Sequence, residues 1–207
     1  MIKDHPIFLE SIHFIRSKLP KNNLNELQNQ VLERLIHTSG DFSIQNLLKF
    51  SSDACQKSIK AILSGAPILT DTDMAAVAIS SMANNAHGNL VFSAKKWIED
   101  YRGQNLTKTA YGIQKGWSEL SEKYRGDLSP IVIFGSSPTA LEKLLDIVEN
   151  SNHQPSLIVG MPVGFIGVEK SKQRLINSSQ SYIVLESTRG GAAMAAATIN
   201  ALLRYTF

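Results

Sequence analysis

Arg34 and His37 stand three residues apart in the run Arg34-Leu35-Ile36-His37-Thr38-Ser39-Gly40-Asp41. On a helix that spacing turns both side chains to a similar face, so that one can hold an acid group while the other handles a proton. Taken alone, a histidine at a helix end is more often a C-cap or a packing residue, and His5, His13, His87 and His153 have weaker claims still. Ser136 and Ser137 lack the G-x-S-x-G elbow of an activated nucleophile. No pair of histidines or carboxylates has metal-ligand spacing, so no metal site is expected. Asp71 and Asp73 close a short apolar run, Ile68-Leu69. They are placed to bond a ligand or to cap the next helix, and capping is the favoured reading.

Three loops carry glycines just ahead of helix-like stretches: Gly135-Ser136-Ser137-Pro138-Thr139, Gly160-Met161-Pro162-Val163-Gly164-Phe165, and Ser187-Thr188-Arg189-Gly190-Gly191. Glycine lets a ligand approach the backbone, and a helix N-terminus offers free N–H groups and partial positive charge to an anion. Three such loops together suit a ligand with several carboxylates or phosphates, although each also reads as a tight connection. None matches a P-loop or a G-x-G-x-x-G fingerprint, so nucleotide binding has no support.

These loops need elements to hold them. Phe8, Ile12, Ile15 and Leu19 recur at helical spacing, as do Leu24, Leu27, Val31, Leu32 and Leu35 after a break at Lys21 to Asn23. A third helix is expected after Ser51 and Ser52 as caps, with Ile59, Ile62 and Leu63 inward and an end at Gly65, all three helices lying against a sheet. Residues 66–71 and 89–92 read as short strands. A further helix spans 109–124, where Gly112 and Gly116 each cost roughly 1 kcal/mol against alanine. Close approach of another backbone explains them, either within one subunit or across a dimer interface together with the apolar Met194–Leu203 helix. Beyond them, the apolar runs 131–134, 157–159 and 182–185 alternate with helices starting near Thr139, Ile166 and Gly191. The expected fold is therefore α/β, a three-layer α/β/α sandwich with a mainly parallel sheet, as a single domain over 1–207. Ligands of such sheets bind outside the carboxyl ends of the strands.

With 207 residues and 43% hydrophobic content, the chain suits one sizeable core. Its formal charge of +3 comes from scattered lysines and arginines, which suits a polyanionic small molecule and gives no nucleic-acid tract. A single cysteine, Cys55, excludes an internal disulfide framework and fits a reducing compartment. No stretch approaches the roughly 18 apolar residues of a membrane span, and no secretory signal opens the chain, so a cytoplasmic protein is expected.

Six motifs in order resemble the precorrin-8X methylmutase family from near Ile7 to the C-terminal helix. They are Glu10-Ser11, the Arg34 to Asp41 run, Gly65-Ala66-Pro67-Ile68-Leu69-Thr70-Asp71 followed by Met74, Pro138-Thr139-Ala140-Leu141, Gly160 to Gly167 followed by Ser171-Lys172, and Gly190-Gly191-Ala192-Ala193-Met194-Ala195-Ala196-Ala197. The resemblance implies an α/β sandwich working as a homodimer, with substrate near the subunit interface. It implies an isomerase of corrin (cobalamin) biosynthesis, which moves a methyl group from ring carbon 11 to carbon 12 of a tetrapyrrole rich in carboxylates. It assigns His37 to protonating or hydrogen-bonding the macrocycle, and Ser11 and Arg34 to contacting substrate. The same motifs place Thr38, Gly40, Asp71 and Thr109 in the expected substrate shell. From the later loops they add Pro162, Val163, Gly164 and Phe165, then Ser171 and Lys172, then Arg189, Gly190 and Gly191. A rearrangement needs no nucleophile and no redox cofactor, only a positioned proton donor and a rigid, water-poor pocket. No cofactor is expected.

The chain departs from the family at several positions. Many members carry Thr-Arg-Ser where Thr109-Ala110-Tyr111 is matched here, which leaves Lys108 or Lys115 to replace an arginine. Thr70, Ser136, Ser137, Lys170 and Ala192 replace the usual Cys, Asn, Ala, Glu and Ser. A second class of reading is a non-catalytic corrinoid carrier using the same pocket. Retention of His37 beside Arg34 favours the enzyme, since a carrier has no need of a proton donor.

Overall fold

The computed structural model describes residues 5–103 and 105–206. Helix α1 (Pro6–Lys18) opens with proline at its first position, where the fixed φ suits a helix and no N–H is missed. Helix α2 (Glu26–Ser39) starts in a capping box, in which Asn25 accepts from the Gln28 amide and the Gln28 side chain accepts from the Asn25 amide. It ends at Gly40, whose φ of 67° is the left-handed turn that lets the chain leave a helix. A 3-10 turn over Phe42–Asn46 leads into β1 (Leu48–Phe50).

After β1 come α3 (Ala54–Leu63), β2 (Ile68–Thr70), α4 (Asp73–Ala86), β3 (Val91–Ser93), a 3-10 turn at Ala94–Trp97, and α5 (Lys108–Lys123). Then β4 (Ile131–Phe134), α6 (Pro138–Glu149), β5 (Leu157–Gly160), α7 (Val168–Ile176), β6 (Tyr182–Leu185) and α8 (Ala192–Tyr205) complete the fold. The sheet order is β1-β6-β5-β4-β2-β3, parallel except for β1, which runs antiparallel to β6 with Leu48 opposite Leu185.

Strand side chains alternate between two apolar layers. Ile131, Ile133, Val159 and Ile183 face a core shared with α2, α3, α4 and α8. Val132, Phe134, Ile158 and Val184 face a second core with α5, α6 and α7. The expected three-layer α/β sandwich is therefore present, and no helix among the described residues is long and apolar enough to cross a membrane.

Two expectations for the helices are corrected, one strand was not expected, and one of two open readings is selected. Helix α1 rests on α2, and α2 on α8, so these two form an outer tier over the sheet-facing helix and do not lie directly on the sheet. Leu63 is 55% exposed at the end of α3, and the cap residue of that helix is Asp53, to which Ser51 donates. β1 went unanticipated because three residues, Leu-Lys-Phe, are too few to display a period. Gly112 and Gly116 serve packing inside the subunit. A Cβ on Gly112 would strike the Ala94 carbonyl, and one on Gly116 would stand 2.8 Å from the Trp97 ring.

Candidate functional site

The parallel strands bring the loops after β2, β4, β5 and β6 to one edge of the sheet. Because β1 runs antiparallel to β6, its start and the turn from α2 lie at that edge too. A side-chain bridge joins them: the Arg189 guanidinium donates to the Asp41 carboxylate and to Ser43 Oγ at 2.5 Å. The last turn of α2, with His37, is thus held beside the loop that follows β6.

The loop after β4 differs from its expected use. The amides of Gly135, Ser136 and Ser137 converge on the Asp71 carboxylate at 3.1, 2.7 and 2.8 Å. The cradle that glycine and serine make for an anion is filled by the chain's own side chain. Burial pushes the Asp71 pKa up, while the three amide bonds favour its charged form. Asp71 does not cap α4 either: Thr72 does, accepting from the Ala75 amide. Asp73 sits in the first turn of that helix and pairs with Lys95 at 2.9 Å.

The loops after β5 and β6 are laced together. Gly164 donates to the Thr188 carbonyl at 3.1 Å and Gly191 to the Met161 carbonyl at 2.8 Å. Gly190, at φ 153°, runs so close to the Met161 carbonyl that no side chain fits. Ser171 is buried and donates to the Val168 carbonyl. Lys172, 1% exposed, donates to the carbonyls of Ser187 (2.8 Å) and Arg189 (2.5 Å). Pro162 is buried, whereas Val163 and Phe165 project outward, Phe165 being 88% exposed and its neighbour Ile166 89%. Helices α7 and α8 start without a side-chain cap, leaving their first-turn amides to other acceptors.

His37 and Arg34 do share a face, and what joins them is Phe8. The His37 ring meets the Phe8 ring edge-on with centroids 5.3 Å apart, and the Arg34 guanidinium lies 5.3 Å from the same centroid. Arg204 from α8 also lies against it, at 4.7 Å. Arg34 Nε is buried with no hydrogen-bond partner, and desolvation lowers the guanidinium's pKa. Phe8, Arg34 and Arg204, though not His37, line a cavity of about 360 Å3 together with Ile12, His13 and Arg16. Ser11 and Thr38 turn their hydroxyls to the carbonyls of Ile7 and Arg34 one helical turn back.

Thr109 lines a second cavity, of about 260 Å3, with Asp71, Asp73, Lys95 and Lys108. Of the matched Thr109-Ala110-Tyr111, Thr109 is the one that lines this cavity. Ala110 is 1% exposed on the core face of α5, where a guanidinium would be driven into apolar packing. Thr107 is the cap of α5, and Lys108, the first residue of the helix, lines this cavity beside Thr109. Lys115 lies over the Tyr111 ring instead. Sequence reasoning gave no role to Phe8, Asp41, Ser43 or Lys95. Phe8 was visible as one of the apolar positions of α1, but its partners on α2 and α8 were not.

A family model described as precorrin-8X methylmutase matches residues 6–205. A cobalt-precorrin-8 methylmutase of Priestia megaterium is 28% identical over 93% of this chain and 84% of its own length. A precorrin-8X methylmutase of Sinorhizobium is 31% identical over 96% of this chain and 93% of its own. The crystal structure of the precorrin-8X methyl mutase of Thermus thermophilus superposes with a TM-score of 0.87 at 29% identity, covering 97% of this chain and 95% of that one.

Proposed function

The chain belongs to the precorrin-8X methylmutase family, and on that premise we propose how its own residues carry the reaction. The protein is an isomerase of corrin biosynthesis. It moves a methyl group from ring carbon 11 to carbon 12 of precorrin-8X, or of its cobalt counterpart, to give hydrogenobyrinate or cobyrinate. Cobalt, where present, belongs to the substrate. Substrate and product contain the same atoms and electrons, so any proton lent to the macrocycle must be taken back.

The observation that carries the reading is the cluster at Phe8. His37, solvent-facing on the last turn of α2, is the proton donor to the ring and recovers that proton after the shift. Phe8 limits where the imidazole can point. Arg34, partly desolvated and with an unused Nε, is the fixed cation for a substrate carboxylate. Ser11 and Thr38 flank the pair on α1 and α2, and Gly40 ends the helix so that the chain can turn back to Asp41.

The rest of the shell lies along the sheet edge. Arg189, Gly190 and Gly191, with the turn Pro162-Val163-Gly164-Phe165, form one wall, its exposed apolar side chains suited to the face of a tetrapyrrole. Thr109 and Lys108 serve a carboxylate arm at the second cavity. Asp71, Ser171 and Lys172 act from behind by holding these loops, because their polar atoms are committed to backbone partners. We also propose a homodimer. Met74 and Val77, one turn apart on α4, are both exposed and offer an apolar face to a second copy.

Substrate carrying a 13C-methyl at carbon 11 tests the reaction. Turnover should move the label's resonance to that of a methyl on carbon 12, and a label that stays at carbon 11 would overturn the reading.

A further inference from the structure

Lysine is rarely buried without a paired carboxylate, because stripping water from an ammonium is costly. Lys172 has 1% of its surface exposed, and its hydrogen bonds run to two main-chain carbonyls, those of Ser187 and Arg189. Both belong to the loop after β6, and that loop is strained. Ser187 has φ 66°, the one non-glycine residue among those described with positive φ. A cation that draws two carbonyls of one short segment inward offsets such strain. Between those anchors the Thr188 carbonyl accepts from Gly164, and beyond them the Arg189 guanidinium reaches Asp41 and Ser43.

We propose that Lys172 is a positioning residue for the substrate-binding edge: its ammonium clamps the Ser187 and Arg189 carbonyls and so sets where the Arg189 side chain meets the turn after the His37 helix. This assignment rests on the methylmutase reading for its effect on turnover, and on geometry alone for the clamp. Burial lowers the lysine's pKa to about 8, while Glu169 on the same helix favours the charged form. The groups around it are Glu169 and Lys170 on α7 and Glu186 at the end of β6, itself paired with Lys49. Arg174 of α7 is turned to Glu142, Asp146 and Glu149. A neutral amine keeps two N–H groups, but its bonds lose the charge assistance that makes such contacts strong.

Hydrogen exchange at the Gly164 and Gly191 amides reports the loop directly. In Lys172→Met we expect both to lose protection by about tenfold or more, with core amides of β4 unchanged. Turnover of the tetrapyrrole should show a raised KM and a kcat within a few-fold of normal, a split that general destabilisation would not produce. If Lys172→Met fails to fold, the wild-type protein carries the test. After correction for intrinsic exchange, the same two amides should lose protection as pH rises through about 8, and Glu169→Gln should move that midpoint lower. Unchanged protection in the variant, or a flat wild-type profile, would overturn the clamp. Absence of turnover in the wild type would instead remove the methylmutase reading, leaving exchange to decide the clamp.

Discussion

At the residue scale, the division of labour proposed for His37 and Arg34 follows from where each ends. The imidazole stands at the helix terminus facing solvent, and the guanidinium is partly buried one turn back, with the Phe8 ring between them. His37→Ala should therefore leave corrinoid binding nearly intact while turnover is largely lost, which binding titration and steady-state rates would separate. Arg34→Gln should weaken binding by about 1.5–3 kcal/mol, the usual worth of a hydrogen bond to a charged group, seen as a raised dissociation constant. Asp71 belongs to a different class. Asp71→Asn would keep one acceptor oxygen for the Ser136 and Ser137 amides but turn an NH2 donor toward the Gly135 amide, so a destabilisation of about 1–3 kcal/mol is expected, read as a lower thermal midpoint. The Arg34–His37 pair was legible in the sequence because its spacing is local. The role of Asp71 was not, because its partners at 135–137 lie far along the chain and meet it only when β2 and β4 pair.

At the scale of elements, the strands easiest to read were those with the most residues buried on both faces. Ile131 to Phe134 and Leu157 to Val159 are continuous apolar runs, and the structure buries every one of those residues. β1 is three residues long and partly exposed and leaves too little pattern to register, whereas β3, equally short, is overlapped by the strand expected at 89–92. The helical glycines of α5 were recognised as sites of close approach, but sequence could not say whose surface approached. The structure names Ala94 and Trp97 of the preceding 3-10 turn. Gly116→Leu is accordingly expected to destabilise the subunit by about 1–3 kcal/mol through overpacking against Trp97. Denaturant unfolding would register it, with no change in oligomeric state. A changed elution volume at unchanged stability would move Gly116 to an interface.

At the scale of the whole molecule, the sheet gathers its loops at one edge and then reuses part of that edge for its own integrity. Asp71 fills the cradle after β4 and Lys172 binds the loop after β6, so on the proposed reading the ligand meets the His37 and Arg34 cluster, the Val163 to Ile166 turn with Arg189, and Thr109 with Lys108. A dimer closing on the α4 face would be broken by Val77→Glu, which should elute as a monomer; retention of the dimer would place the contact elsewhere. The most direct test of the account is to incubate the purified protein with precorrin-8X, with and without cobalt, and follow the absorption spectrum beside His37→Ala. The account predicts a change in conjugation that continues far beyond one equivalent of protein for the wild type and nearly stops in the variant. A change that ends at one equivalent in both would make the protein a corrinoid carrier and contradict it.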